Sequence, residues 1–167
     1  MENIPQYEGS ILKLESNEVF VFGSNFKGFH GAGAAGYASF NVFGNVWRDF
    51  NYQNWPNRKK GKWNVKGVGE GFQEGENGKS YAIPTVTRAG ARRSIPLSNI
   101  KDSVRKFYKF ALDNAEYKFY VAQEGKIGLN GFTPEEMGKV WSLPVGKRVE
   151  FPHVYFNLNF KPYLLDY

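Results

Sequence analysis

The chain has 167 residues, 41% of them apolar, which suits one domain with a real core and argues against disorder. Aromatic residues make up 17%, with fifteen Phe and ten Tyr, so rings must fill much of that core. The net charge of +6 favours anionic partners, and the lack of cysteine excludes disulfides, zinc-thiolate sites and thiol catalysis.

In chain order, the first ten residues are polar and carry no signal pattern, and no apolar run approaches the length of about 20 that spans a bilayer. The expectation is a soluble, cytoplasmic protein. Val19–Phe22 is a wholly apolar run between Glu18 and Gly23, as in a strand buried on both faces of a parallel sheet. Gly23-Ser24-Asn25 follows as a turn signal, and a small-residue segment from Gly31 to about Phe43 can form a helix. Residues 44–66 are rich in Asn, Gly, Lys and Trp, a long elaboration of the kind that often serves as a lid or binding segment.

Ser80–Thr85 reads as a short strand ended near Pro84. Ser98 can cap a helix to about Asp113 whose apolar face holds Ile100, Val104, Phe107, Tyr108, Ala111 and Leu112. Tyr117–Gln123 is the next strand, and Thr133 with Pro134 starts a short helix. A last strand falls within Val149–Asn157, with Pro152 against a regular central one. Strand and helix alternate, so the expected fold is α/β: a three-layer α/β/α domain on a mixed, mainly parallel sheet, spanning 1–167.

The most informative stretch is Phe22–Gly36, a buried strand running into a glycine-rich bend that opens a small-residue helix. Glycine lets the backbone approach a ligand and aim several N–H groups at one anion, and a helix start adds further donors. The spacing is neither a Walker loop nor a dinucleotide fingerprint, so the bend is either an anion site or a tight packing turn. His30, inside the bend, is a candidate acid or base, or else a helix cap. Asn25 can bond a ribose hydroxyl or its own backbone. Glu124, beside a second glycine loop, is a candidate base, or an ion-pair partner of Lys126 or Arg88. His153 reads as structural. Glu70 and Gln73 lie in a glycine-flanked turn. No metal-ligand spacing is visible and the sequence calls for no cofactor.

The segments Phe22-Gly23-Ser24-Asn25 and Gly28-Phe29-His30-Gly31-Ala32-Gly33-Ala34-Ala35 resemble the motif of a macrodomain-like family common in bacteria and phages. The likeness continues in Gly69–Gln73 with Ser80–Thr85, and in Gly125–Phe132. It implies an ADP-ribose-like ligand. The strand end and bend (Gly23, Ser24, Asn25, Gly28, Gly31, Ala32 and Gly33) would lie beside its distal ribose. The loop with Gly125, Ile127, Gly128, Asn130 and Gly131 would close over its diphosphate. Some members hydrolyse ADP-ribose derivatives, a role that would fall here to His30 and Glu124. Phe29 stands where the family often has Arg, and Gln123–Lys126 where it often reads Thr-Arg-Ile-Gly. Those departures keep open a non-catalytic alternative, sequestering or sensing a nucleotide signal in the manner of a phage counter-defence protein. Nucleic acid ranks behind as a partner, through Arg58, Lys59, Lys60, Lys62 and Lys66 with Trp55 and Trp63. Arg88, Arg92 and Arg93 form a second basic patch. Exposed aromatics make a second copy of the chain a candidate partner.

Overall fold

Val19, Phe20, Val21 and Phe22 carry no polar side chain, and the chain lays them at the centre of a sheet. The computed structural model describes residues 4–11, 13–27, 69–74 and 78–167. Gly28, His30, Gly31, Ala32 and Gly33 of the bend, the small-residue helix and the basic aromatic segment lie outside the described residues. The described strands are β1 (Gln6–Tyr7), β2 (Glu18–Asn25), β3 (Gly71–Glu74), β4 (Lys79–Val86), β5 (Lys118–Val121) and β6 (Val154–Asn157). Two α-helices are described, α1 (Leu97–Asp113) and α2 (Pro134–Trp141), with short 3-10 helices at Arg148–Glu150 and Lys161–Tyr163. The sheet runs β1-β6-β5-β2-β4-β3, and every neighbouring pair is parallel except β3 with β4. This is the mixed, mainly parallel α/β arrangement expected from the sequence.

Side-chain alternation along β2 divides its four apolar residues between two cores. Val19 and Val21 join Tyr81, Ile83, Phe119 and Val121 beneath α1 and α2. Phe20 and Phe22 pack on the opposite face with Ala82 and Leu14. Rings dominate the first core. Phe107 of α1 is fully buried and meets Tyr81, Phe119 and Trp141 edge-on at 5.1, 5.2 and 5.5 Å.

Helix α1 differs in detail from its sequence pattern. Pro96 takes the cap position, and its carbonyl accepts the N–H groups of Asn99 and Ile100 at 3.0 and 3.2 Å. Ser98 therefore lies inside the helix and does not cap it. Ile100, Val104, Phe107, Tyr108 and Ala111 are buried, while Leu112 is exposed. Strand β4 continues through Pro84 to Val86 because β3 ends opposite Ala82, so the missing N–H removes no rung on that side. Strand β5 is shorter than Tyr117–Gln123 and stops at Val121. That early stop creates the site described below.

Helix α2 starts as the sequence indicates, at Thr133 and Pro134. The Thr133 hydroxyl accepts the Glu136 N–H at 3.1 Å, and the Glu136 carboxylate accepts the Thr133 N–H at 3.0 Å, a reciprocal capping box. The C-terminal segment fixes the helix from outside. A Cβ on Gly138 would lie 2.0 Å from the Tyr163 carbonyl oxygen, so only glycine allows this approach. Arg148 and Asp166, both nearly buried, pair at 2.7 Å, and Asp166 also accepts the Leu143 N–H at 3.0 Å. Helix α2 is thus capped at its start and held by the C-terminal segment, which matters because it walls the crevice.

Candidate ligand crevice

After β2 the chain crosses to β3 and β4 on one side, whereas after β5 it crosses to β6 on the other. Adjacent parallel strands whose connections diverge leave a gap beyond their carboxyl ends, the usual ligand position in open α/β sheets. The last rung across this gap is the Ala122 N–H to the Val21 carbonyl, at 2.7 Å. Backbone groups alternate sides along a strand, so Gly23 turns its N–H the same way as Val21, to where β5 has already ended.

A shallow hollow, open to solvent, lies at this point. Its described lining comprises Val21, Phe22 and Gly23 of β2, Ile83 and Thr85 of β4, Val121 with Ala122 and Gln123 after it, and Met137 and Trp141 of α2. The walls are mainly apolar, with Thr85 and Gln123 as side-chain hydrogen-bonding groups, the mixture typical of small-molecule sites. Gly23 is exposed between two buried neighbours. A Cβ there would sit 3.2 Å from the Thr85 hydroxyl oxygen and would project into the hollow.

The other sequence-derived candidates fall into distinct places. Ser24 is buried and its hydroxyl donates to the Gly69 carbonyl, which ties the end of β2 to the segment before β3. Asn25 is buried too, opposite Val86 across a bulge that separates it from Ser24. Glu124 is exposed and pairs with Lys126 at 2.9 Å. Gly125 packs so closely that an added Cβ would lie 2.1 Å from the Asn159 carbonyl oxygen. Gln73 lies on edge strand β3, and Glu70 approaches Lys106 at 3.8 Å. His153 bonds the Ala111 carbonyl at 2.7 Å through Nε2, a structural role.

The loop from Glu124 to Phe132 links β5 to α2 and contains the remaining candidates. Its ends are self-bonded: the Lys126 N–H donates to the Glu124 carbonyl at 2.8 Å, and the Gly131 N–H to the Gly128 carbonyl at 3.1 Å. The Asn130 side-chain oxygen accepts the Phe132 N–H at 2.9 Å. Gly131 has φ of +82°, a conformation that favours glycine. Between these anchors, the N–H groups of Ile127, Gly128, Leu129 and Asn130 meet no acceptor among the described residues. Ile127 and Leu129 expose their side chains, and no Cβ contact would hinder approach at Gly128. Four successive amides without an acceptor among the described residues leave main-chain donors on this loop available to an anion.

The turn after β4 is joined to this loop. The Arg93 N–H donates to the Asn130 carbonyl at 2.8 Å, its guanidinium makes a two-pronged bond to Glu136 at 2.8 and 3.0 Å, and it lies over the Phe132 ring at 4.8 Å. Hydrogen bonds from Arg93, then from Thr133, hold the Glu136 carboxyl down at about 2. Sequence reasoning marked the arginines only as a patch and missed Thr85 and Gln123. Their signal, one polar residue at the carboxyl end of each strand, has meaning only once strand order is known. Among the described residues no group of three or more metal-binding side chains occurs, and no helix is long and apolar enough to cross a membrane.

The fold these elements define is macrodomain-like α/β. Among solved structures the chain is similar to a mutant form of a macrodomain from Oceanobacillus iheyensis, at 12% identity and a TM-score of 0.50, over 93% of this chain and 85% of that one. No family model and no curated relative matches the chain.

Proposed function

We propose that the chain binds a nucleotide-like small molecule of the ADP-ribose class in the crevice between β2 and β5. The observation that carries this reading is the set of main-chain donors with no acceptor among the described residues: Gly23, beyond the last β2–β5 rung, and Ile127 to Asn130 on the loop that follows β5. Such amides suit a diphosphate, because main-chain dipoles can meet spread negative charge without a buried countercharge. The apolar walls from Val21, Val121, Ile83 and Trp141 suit the faces of a ribose or base. The macrodomain-like fold and the net charge of +6 support the same class.

The reading is of binding without turnover. Glu124, the described candidate for proton chemistry, is exposed and ion-paired with Lys126, and no carboxylate is among the described residues lining the hollow. A ligand that binds only the folded state raises its melting temperature. A thermal-shift screen with ADP-ribose, its cyclic forms, NAD and short oligonucleotides should therefore give a rise with ADP-ribose-class compounds. Chromatography after incubation should recover them unaltered. No rise with any of them refutes the reading, and release of ADP-ribose from a modified protein would convert it to a hydrolase.

A further inference from the structure

The three arginines of the turn after β4 have different fates. Arg93 adopts the left-handed backbone region, with φ of 54°, and is drawn inward to Glu136, Phe132 and the Asn130 carbonyl. A non-glycine residue holds that conformation only where its surroundings impose it. Arg92, one residue earlier, lies over the loop: a Cβ on Gly131 would be 3.1 Å from both Cβ and Nε of Arg92. The carboxylates of this loop and of the first turn of α2 that form ion pairs are engaged elsewhere, Glu136 by Arg93 and Glu124 by Lys126. Arg92 is exposed and has no acidic partner among the described residues. Arg92, without an acidic partner among the described residues, therefore rests against Gly131, next in the chain to the four amides of 127–130 that have no acceptor among those residues.

We propose that Arg92 is a phosphate-reading residue, its guanidinium and the 127–130 amides together holding one phosphate group of the ligand. The proposal rests on the crevice reading for the rest of that ligand. Guanidinium matches phosphate oxygens two at a time, which a lysine ammonium does not. The site therefore selects ligands with a charged phosphate over the loop, above nucleosides that offer only hydroxyl groups there.

Calorimetry with ADP-ribose and with inorganic pyrophosphate, on wild type, Arg92→Ala, Arg92→Lys and Arg88→Ala, tests this. Arg88 shares the turn and the charge but, among the described residues, makes no ion pair with the loop, so it controls for a general field effect. Arg92→Ala should weaken both probes about 10- to 100-fold, the scale of a lost charge-assisted contact. Arg92→Lys should recover only part of this, and Arg88→Ala should stay within about threefold of wild type. Wild-type affinity in Arg92→Ala, or an equal loss in Arg88→Ala, overturns the assignment. If ADP-ribose fails to bind wild type, the ligand class of the preceding section is wrong. Pyrophosphate then decides on Arg92 alone: binding lost in Arg92→Ala sustains the phosphate site, and no binding to any variant removes it.

Discussion

The Val21 carbonyl accepts the Ala122 N–H at 2.7 Å, and beyond that bond β2 runs on without β5 beside it. Gly23 therefore sits at a strand end with one open edge and no side chain. This one register relationship turns a glycine that could have been a packing residue into the floor of a crevice.

Glycines of the loop after β5 should separate into two kinds on mutation. In Gly125→Ala the new Cβ would collide with the Asn159 backbone, so the loop or the 157–163 segment must shift. Overpacking of this sort costs about 1–3 kcal/mol. Gly128→Ala meets open space and should leave stability within about 0.5 kcal/mol. Urea denaturation of both variants measures the difference. Equal stabilities would mean the loop does not pack as described.

The pair of Arg148 and Asp166 should be worth more than its distance from the crevice suggests. Both side chains are nearly buried, and Asp166 also serves the Leu143 N–H. Asp166→Ala strands a cation and an amide donor together, a change that typically costs about 3–5 kcal/mol. Denaturant midpoints should fall accordingly. Because this pair anchors the segment packed on α2, ligand affinity in the folded variant should also drop.

Acid should loosen the loop before the core. The Glu136 carboxyl is held at about 2 against an ordinary 4.5, mainly by Arg93. A depressed carboxyl adds stability that is complete above its unfolded value and lost as pH falls through the folded one. Melting temperature should therefore decline between about pH 4.5 and 2 more steeply in wild type than in Glu136→Gln. Parallel declines would remove the Arg93–Glu136 clamp from the account.

Much of the fold was legible because local chemistry and tertiary setting agree. Val19–Phe22 can be stable only with both faces covered, and Thr133-Pro134 announces a helix start whatever surrounds it. Leu112 escaped the pattern because, with no described neighbour on that side of α1, it stays exposed. The two-residue β1 and the half-exposed β3 carry too little sequence signal to stand out. The candidate crevice is less legible. Glycine enrichment marked both loops, yet nothing local distinguishes Gly125, pressed on Asn159, from Gly128, open to solvent. Likewise the sequence leaves Glu124 open between a base and an ion-pair partner, and the structure shows it exposed and paired with Lys126 at 2.9 Å.

The most direct test is calorimetry of ADP-ribose with wild type and Gly23→Val, with the folded state of each checked by its melting curve. Filling the end of β2 should raise Kd at least about tenfold, since a branched side chain would occupy the hollow and cover the open amide. Equal affinities in two folded proteins would place the ligand elsewhere and contradict the crevice as the binding site.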